Sequence, residues 1–188
     1  MIVHPTLRSR RLGLPAFGHG DRLMAGLARH LDDGFHFFRA VAPGGIPPID
    51  AVVVGPGGVW TLTAAEEPGR FRRRNGHWYR WNRSTESWVP WDAIPVTTAR
   101  LAGHRLELYL ERAALPATVE ACLVPAKATE VTWDRGEQVA IRVEGDADRL
   151  AQLISRDEVL TAAQVDRIVA LLDPRQPLPQ LAPSAPRG

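Results

Sequence analysis

Hydrophobic residues recur along this chain at two spacings, and each spacing predicts a different kind of element. Repeats every three or four residues predict four helices, at residues 20–31, 96–112, 146–154 and 161–172. Runs rich in β-branched and aromatic residues predict strands at 35–41, 49–54, 59–64, 70–74, 77–81, 117–124, 130–133 and 138–143. The final helix opens with Thr161 and Gln164, the pattern of a capping box.

The strand at 49–54 is too apolar to have one face in water. Its sequence, IDAVVV, therefore predicts a central strand that is buried on both faces. A tight turn at Gly55–Gly58 leads into the next strand. Further along, Asn75-Gly76 between two strand-like runs is a strong hairpin signal.

The order of these elements predicts an α/β fold, with a mixed central β-sheet flanked by helices. We expect one domain over residues 18–172. Residues 1–17 show neither helical nor strand periodicity and are interpreted as a flexible N-terminal arm. Residues 173–188 contain five prolines and few large apolar groups, which predicts a disordered tail.

The composition of the chain argues against several kinds of site and of protein. The chain has 188 residues, a net charge of +2 and a single cysteine, Cys122, so it has no internal disulfide and no cysteine-based zinc site. No apolar run approaches the roughly 20 residues of a membrane-spanning helix, and no signal peptide is recognisable. We therefore expect a cytoplasmic protein without a membrane partner.

Several of these segments together resemble one family. The run from Ile49 to Trp60, IDAVVVGPGGVW, is similar to the signature of the NERD, or nuclease-related, domain. The likeness extends to the helix opened by Gly18-His-Gly20-Asp21, to the Gly69–Trp78 hairpin and to Pro95 at a helix start. It covers roughly residues 18–172 and implies a PD-(D/E)XK nuclease-like, or restriction-endonuclease-like, core.

That resemblance implies a magnesium-dependent site. In the family, an Asp on one strand and a Glu on its neighbour bind Mg²⁺, a Lys two residues later orients the attacking water, and a Glu lies in the first helix. Asp50 stands at the position of the metal-binding aspartate, and Asp21 stands at the position of the glutamate in the first helix. The Glu-x-Lys positions hold Thr63 and Ala65, and a helix glutamine is replaced by Thr98. Loss of both the carboxylate and the ammonium predicts a centre without useful nuclease activity.

An alternative interpretation of the sequence is a nuclease with weak Mg²⁺-dependent activity. Glu66 and Glu67 follow the changed motif, and Glu67 shares strand parity with Thr63. A displaced Glu67 would then complete a weak Mg²⁺ site with Asp21 and Asp50. The competing interpretation is that both glutamates lie in a solvated turn, and we therefore expect no metal or other cofactor unless this alternative holds.

A second cluster lies on the predicted hairpin and is rich in arginine. Its sequence contains no acidic residue and combines arginines with aromatic side chains, which suits phosphates, nucleic-acid bases or an acidic protein partner. Trp88 and Trp91 are interpreted as a surface patch for another protein. The expected binding residues are Arg70, Arg72, Arg73, Arg74, Arg80, Arg83, Trp78 and Trp88.

These patterns favour a catalytically inactive NERD-like domain that acts as a binding or regulatory module. A protein partner, or a place as a subunit of a larger assembly, is expected first. Nucleic acid is a second possible ligand, through the arginine hairpin. The nuclease using Asp21, Asp50 and Glu67 stays open as an alternative.

Overall fold

The fold is mixed α/β, with two mixed sheets and helices packed on them. The computed structural model describes residues 1–4, 18–42, 47–137 and 139–173. In chain order the elements are β1 (Ile2–His4), α1 (Gly18–Leu27), β2 (His36–Val41), β3 (Ile49–Gly55), β4 (Gly58–Ala64), β5 (Arg70–Arg74), β6 (His77–Asn82), β7 (Ser87–Pro90), α2 (Ile94–Arg112), β8 (Val119–Val124), β9 (Glu130–Trp133), β10 (Arg142–Val143), α3 (Ala147–Ile154) and α4 (Ala162–Leu172).

The larger sheet has six strands in the order β1-β2-β3-β4-β8-β10. Strands β2, β3 and β4 form an antiparallel meander, whereas β8 lies parallel to β4 and β10 parallel to β8. Every residue of β3 is buried except Asp50. The prediction of a central strand buried on both faces is therefore confirmed, because helices cover both sides of this sheet.

Alternate residues of the central strands supply two separate cores. On one face, Val53 and Leu62 pack with Leu27 of α1 and Leu150 of α3. On the other face, apolar residues of α2 and α4 pack on β2, β3 and β4, and this second core contains Leu106, Leu110, Val165, Ile168, Val52, Val54 and Val59. The sheet thus separates α1 and α3 from α2 and α4.

The hairpin belongs to a second sheet of four strands, ordered β7-β6-β5-β9. Its turn residues Asn75 and Gly76 have φ values of 51° and 78°, the left-handed conformation that an Asn-Gly turn requires. The predicted hairpin is confirmed. Phe71 and Trp78 pack against Ala93 and Val96 at the start of α2, which joins this sheet to the rest of the fold.

Three sequence-based expectations differ from the structure. Residues 2–4 of the predicted arm form β1, parallel to β2 at the sheet edge, because three residues are too few to show periodicity. The strand expected at 138–143 contains only Arg142–Val143, and β7 was not predicted. The arm at 5–17 and the tail at 174–188 lie outside the described residues.

The predicted start of the final helix is confirmed. The Thr161 side chain accepts a hydrogen bond from Gln164 N–H, and the Gln164 side chain accepts one from Thr161 N–H, which confirms the capping box. Among the helices of the described part, none combines the length and apolar character needed to cross a membrane.

Candidate functional site

Asp50 lies where β3 begins and β4 ends, at the edge of the larger sheet formed by the ends of these central strands. Its Oδ2 accepts a hydrogen bond from the backbone N–H of Ala64, with an N···O distance of 3.0 Å. The β3–β4 pairing runs as far as Ala51 opposite Leu62, and continuing this register by one residue places Asp50 across from Thr63. The structure therefore brings together Asp50 and the changed Glu-x-Lys segment.

The surroundings of Asp50 alter its acidity. Partial burial raises the pKa of the carboxyl, the hydrogen bond from Ala64 lowers it, and the charge of Glu66 raises it further. The net effect is a pKa of Asp50 above its ordinary value. Because Thr63 supplies a hydroxyl and Ala65 a methyl group, neither adds a negative charge that would attract a cation to this edge.

Thr63 and Ala65 occupy apolar surroundings under α2. Thr63 is buried, and Ala65 packs in a small cluster with Ala99 and Val96 of that helix. Thr98 lies on the exposed side of α2, so it points away from this cluster. The replaced positions have thus become part of the packing between β4 and α2.

The first helix starts near the same sheet edge. Asp21 lies in α1, and its side chain is outside the described part of the chain. The next two residues, Arg22 and Leu23, line a cleft of about 620 Å³ together with Val124 at the end of β8. Val124 is the pairing partner of Ala64, so the backbone of α1 begins close to the edge that holds Asp50.

Glu67 is turned toward the hairpin. Its Oε2 lies 3.1 Å from Nη1 of Arg80, and both side chains are exposed. Across the described ranges, no set of three or more His, Cys, Asp or Glu side chains is arranged to hold a metal ion. A displaced Glu67 ligand would have to leave Arg80 to reach Asp50.

Five of the six hairpin arginines are paired with carboxylates, although the hairpin itself has none. The partners are Glu67 and three acidic residues on or after β9, in the pairs Arg70–Glu130, Arg72–Asp134, Arg73–Glu137, Arg74–Asp134 and Arg80–Glu67. Arg72 is held most closely, since its Nε and Nη2 lie 3.0 and 2.7 Å from Oδ1 of Asp134. Within the described residues, Arg83 has no ion-pair partner.

Sequence analysis missed these acidic partners. Glu130, Asp134 and Glu137 lie about sixty positions from the arginines that they bind, so no local pattern links them. The parallel pairing of β9 with β5 brings them together. The only available signal was the acidic residues that flank the short predicted strand at 130–133.

Glu137 connects the segment after β9 to the hairpin turn. Its carboxylate accepts hydrogen bonds from Nε of Arg73, at 2.9 Å, and from the N–H of Gly76, at 3.0 and 3.2 Å. The Gly76 N–H and the Arg73 guanidinium lower the pKa of Glu137 below its usual range. Glu137 is therefore a structural clamp on the turn.

The hairpin has two different faces. On the outer face, the guanidinium of Arg70 lies 5.5 Å from the Trp81 ring centroid and 5.9 Å from that of Trp88, and the two rings meet edge to face. On the inner face, Arg73 lies over Trp78 at 5.8 Å. Strand alternation separates these two groups of side chains.

The structure separates the tryptophans that the sequence groups together. Trp78, only 9% exposed, packs in the core against the start of α2, so little of its side chain is accessible to a ligand. Trp88 and Trp91 do not form one patch, since Trp91 packs on Phe71 with ring centroids 4.4 Å apart, whereas Trp88 contacts Trp81. We define the outer face of the second sheet by Arg70, Arg72, Tyr79, Trp81 and Trp88, whose positions lie on the same side of the paired strands.

Comparisons with models of known protein families, with curated proteins and with solved structures found no match. One sheet edge carries Asp50 beside a neutral motif, with the charge of Glu66 nearby, and one outer face combines aromatic rings with arginines that are paired to carboxylates. The first arrangement is poorly suited to holding a divalent cation, and the second is suited to binding a macromolecule.

Proposed function

We propose that this chain is a NERD-like domain with a PD-(D/E)XK-type core and an inactive nuclease centre, and that it works as a cytoplasmic module binding a protein partner. The observation that carries the first part is the placement of Asp50 across from Thr63, at the position where the family signature has a glutamate. This is the relation between neighbouring strands that the resemblance implies, with the catalytic side chains replaced.

The side chains at the Glu-x-Lys positions carry no charge, which argues against catalysis. Mg²⁺ is commonly held through one or two carboxylates, and here the carboxylate expected across from Asp50 is replaced by the hydroxyl of Thr63, while Glu66 is a further negative charge close enough to act on Asp50. Removing one charge-stabilising group commonly lowers a rate by about 10² or more, and this chain lacks two.

The choice of partner follows from the ion pairs. A phosphate that bound Arg70 or Arg72 would compete with Glu130 or Asp134 for the same guanidinium. This competition reduces the counterion release that drives binding to nucleic acid. A protein interface makes a different demand, because tryptophan, tyrosine and arginine are enriched among residues that contribute most to protein binding. The outer face has this composition.

Two assays test the proposal. Incubation of single- and double-stranded DNA with Mg²⁺ or Mn²⁺ should give no cleavage, and metal-dependent cleavage that disappears in Asp50→Ala would establish the nuclease alternative instead. For the binding role, a partner captured by the parent should be lost with Trp88→Ala and retained with Arg100→Ala, an exposed change on α2. A captured partner that is insensitive to Trp88 would remove the outer face from the proposal.

Nucleic-acid binding is the second candidate function. It is favoured by Arg83, which has no ion-pair partner in the described part, and by the stacking surface of Tyr79, Trp81 and Trp88. Fluorescence anisotropy of labelled oligonucleotides over a salt series separates the two candidates. Tight binding at physiological salt, with a steep salt dependence, would favour nucleic acid over protein.

A further inference from the structure

Two histidines meet where β1, the outermost strand of the larger sheet, pairs with β2. Nε2 of His4 lies 3.0 Å from Nδ1 of His36, a hydrogen-bond distance that links the two strands. The His4 ring also stacks on Phe38, with ring centroids 4.2 Å apart and planes 14° from parallel. His36 pairs with Val54 of β3, so this histidine pair lies at the far end of that strand from Asp50.

The strand register places both histidines on the side of the sheet that α4 covers. Phe38 belongs to the core that packs on α4, and His36 shares its face because the two are separated by one residue of β2. His4 is the register partner of Phe38, so it lies on the same side. On the facing helix, Asp166 of α4 and Asp173 directly after it are seven residues apart, which places both on one helix face.

Charged groups of α4 and of the N-terminus act on this pair. Oδ2 of Asp173 lies 3.8 Å from Nδ1 of His4. Burial is the main effect on His36 and lowers its pKa, the charge of Asp166 raises that pKa, and the N-terminal ammonium lowers it. The result is a pKa of His36 below its ordinary value. The β3 residues on this side of the sheet are apolar valines.

The bond between the two rings depends on their protonation. A neutral imidazole has one N–H donor and one nitrogen acceptor, so the contact is retained while at least one ring is neutral. When both rings are protonated, every ring nitrogen is a donor, and two N–H groups face each other across the 3.0 Å contact between His4 and His36. The hydrogen bond is then replaced by repulsion between two like charges.

We propose that the His4–His36 pair is an acid-sensitive latch, which holds β1 against β2 near neutral pH and releases it when both rings are protonated. β1 has three residues, and Ile2 and Val3 are 43% and 42% exposed, so their burial contributes little to holding the strand. Release uncovers the edge of β2, whose backbone groups can then pair with another extended segment. This inference does not depend on the proposed function.

The direction of the pH effect follows from His36. In the attached state its pKa lies below the ordinary value of about 6.5. Attachment of β1 is therefore stabilised above that pH and weakens as pH falls through the lower value. Because the two rings interact, the protons bind to the pair in two coupled steps, and the second step releases the strand.

Hydrogen exchange measured by NMR tests this release in the full chain. The N–H of Ile2 donates to the carbonyl oxygen of Phe35 at 2.8 Å, so its protection reports the attachment of β1. We expect this protection, corrected for the intrinsic exchange rate at each pH, to fall about fivefold or more between pH 7.5 and 5.5. The N–H of Ala65, which donates to Val124 in the central sheet, should keep its protection and serves as the internal control.

Two variants distinguish a titrating latch from a purely structural contact. In His36→Gln the side-chain amide can donate to or accept from His4 and carries no charge, so Ile2 protection should become nearly independent of pH. Asp166→Asn, an exposed change on α4, removes the charge that raises the pKa of His36, so release should move to lower pH. His104→Gln, at an exposed histidine of α2, is the matched control and should behave like the parent.

Three results would overturn the proposal. The first is Ile2 protection that does not change with pH in the parent, and the second is an equal loss of protection in the parent and in His36→Gln. The third is release at an unchanged pH in Asp166→Asn, because the carboxylate that acts on His36 would then have no effect on the event. This last variant changes an exposed side chain, so it tests the latch even if His36→Gln alters folding.

Discussion

Asp50 and Ala64 are joined by a hydrogen bond across the ends of β3 and β4, with the carboxylate accepting from the backbone N–H at 3.0 Å. The backbone pairing of these strands ends at Ala51 and Leu62, so the Asp50 side chain satisfies an N–H beyond the last paired residues. Asp50 therefore has a structural role at this edge. That role gives a physical reason for an aspartate here even where a neighbouring catalytic motif is absent.

Restoring the missing charges should restore metal binding. We expect Thr63→Glu with Ala65→Lys to bind Mn²⁺ measurably by isothermal titration, since a second carboxylate then lies across from Asp50. Parent protein and Thr98→Glu, a matched change on the exposed side of α2, should show no comparable binding. A double variant that keeps the parent's circular dichroism and still binds no metal would argue against the proposed correspondence with the nuclease motif.

Removing an acidic partner of the hairpin should create affinity for nucleic acid. Asp134→Asn releases Arg72 and Arg74, both of which bind that carboxylate. Two more phosphate contacts steepen the logarithmic salt slope on single strands by about 1.4. Anisotropy of a labelled oligonucleotide measures this slope, with Glu111→Gln on α2 as the matched loss of one charge. An unchanged slope would mean that the freed arginines do not reach phosphates.

Glu137 should make the hairpin sensitive to acid. The folded-state pKa of this carboxyl lies below its ordinary value, so its stabilising effect is present above the ordinary pKa and is lost as pH falls through the folded one. We expect Glu137→Gln to melt below the parent at neutral pH, and the difference to shrink from about pH 5 downward. Melting curves at several pH values measure this, with Glu86→Gln as control. A pH-independent difference would contradict the clamp.

Replacing Thr61 with valine should stabilise the folded protein. It is fully buried between β4 and α2, and within the described residues its hydroxyl oxygen has no hydrogen-bond partner. Valine keeps the shape and removes the buried polar atom, so Thr61→Val should raise the free energy of unfolding by about 1 kcal/mol. Urea unfolding measures the change, and exposed Thr98→Val should leave it nearly unaltered. A loss of stability would show that the hydroxyl is satisfied.

The single thiol should be inert in the folded protein. Cys122 is fully buried, and burial raises its pKa to about 12, so the reactive thiolate is scarce near neutral pH. A thiol reagent at pH 8 should label Cys122 only as fast as the chain opens, with a rate that increases in urea alongside unfolding. Rapid labelling of the native protein, at the rate found for the denatured chain, would refute this assignment.

The sequence by itself determined the elements whose signals are local. Hydrophobic spacing located the four helices, Asn75-Gly76 located the hairpin turn, and Thr161 with Gln164 located a helix start. The apolar run at Ile49–Val54 also determined a central strand. In each case the physical cause is side-chain periodicity or turn geometry. Because it acts over a few neighbouring residues, it can be recognised from the sequence.

Tertiary structure alone decided which residues meet. Nothing local distinguishes Arg72 as the partner of Asp134 or Trp78 as a core residue, because both depend on how the second sheet pairs and packs. The parallel placement of β9 beside β5 converts an apparently free arginine cluster into a set of ion pairs. Strand pairing over about sixty residues has no periodic signal, so the electrostatics of this hairpin could only be known from the fold.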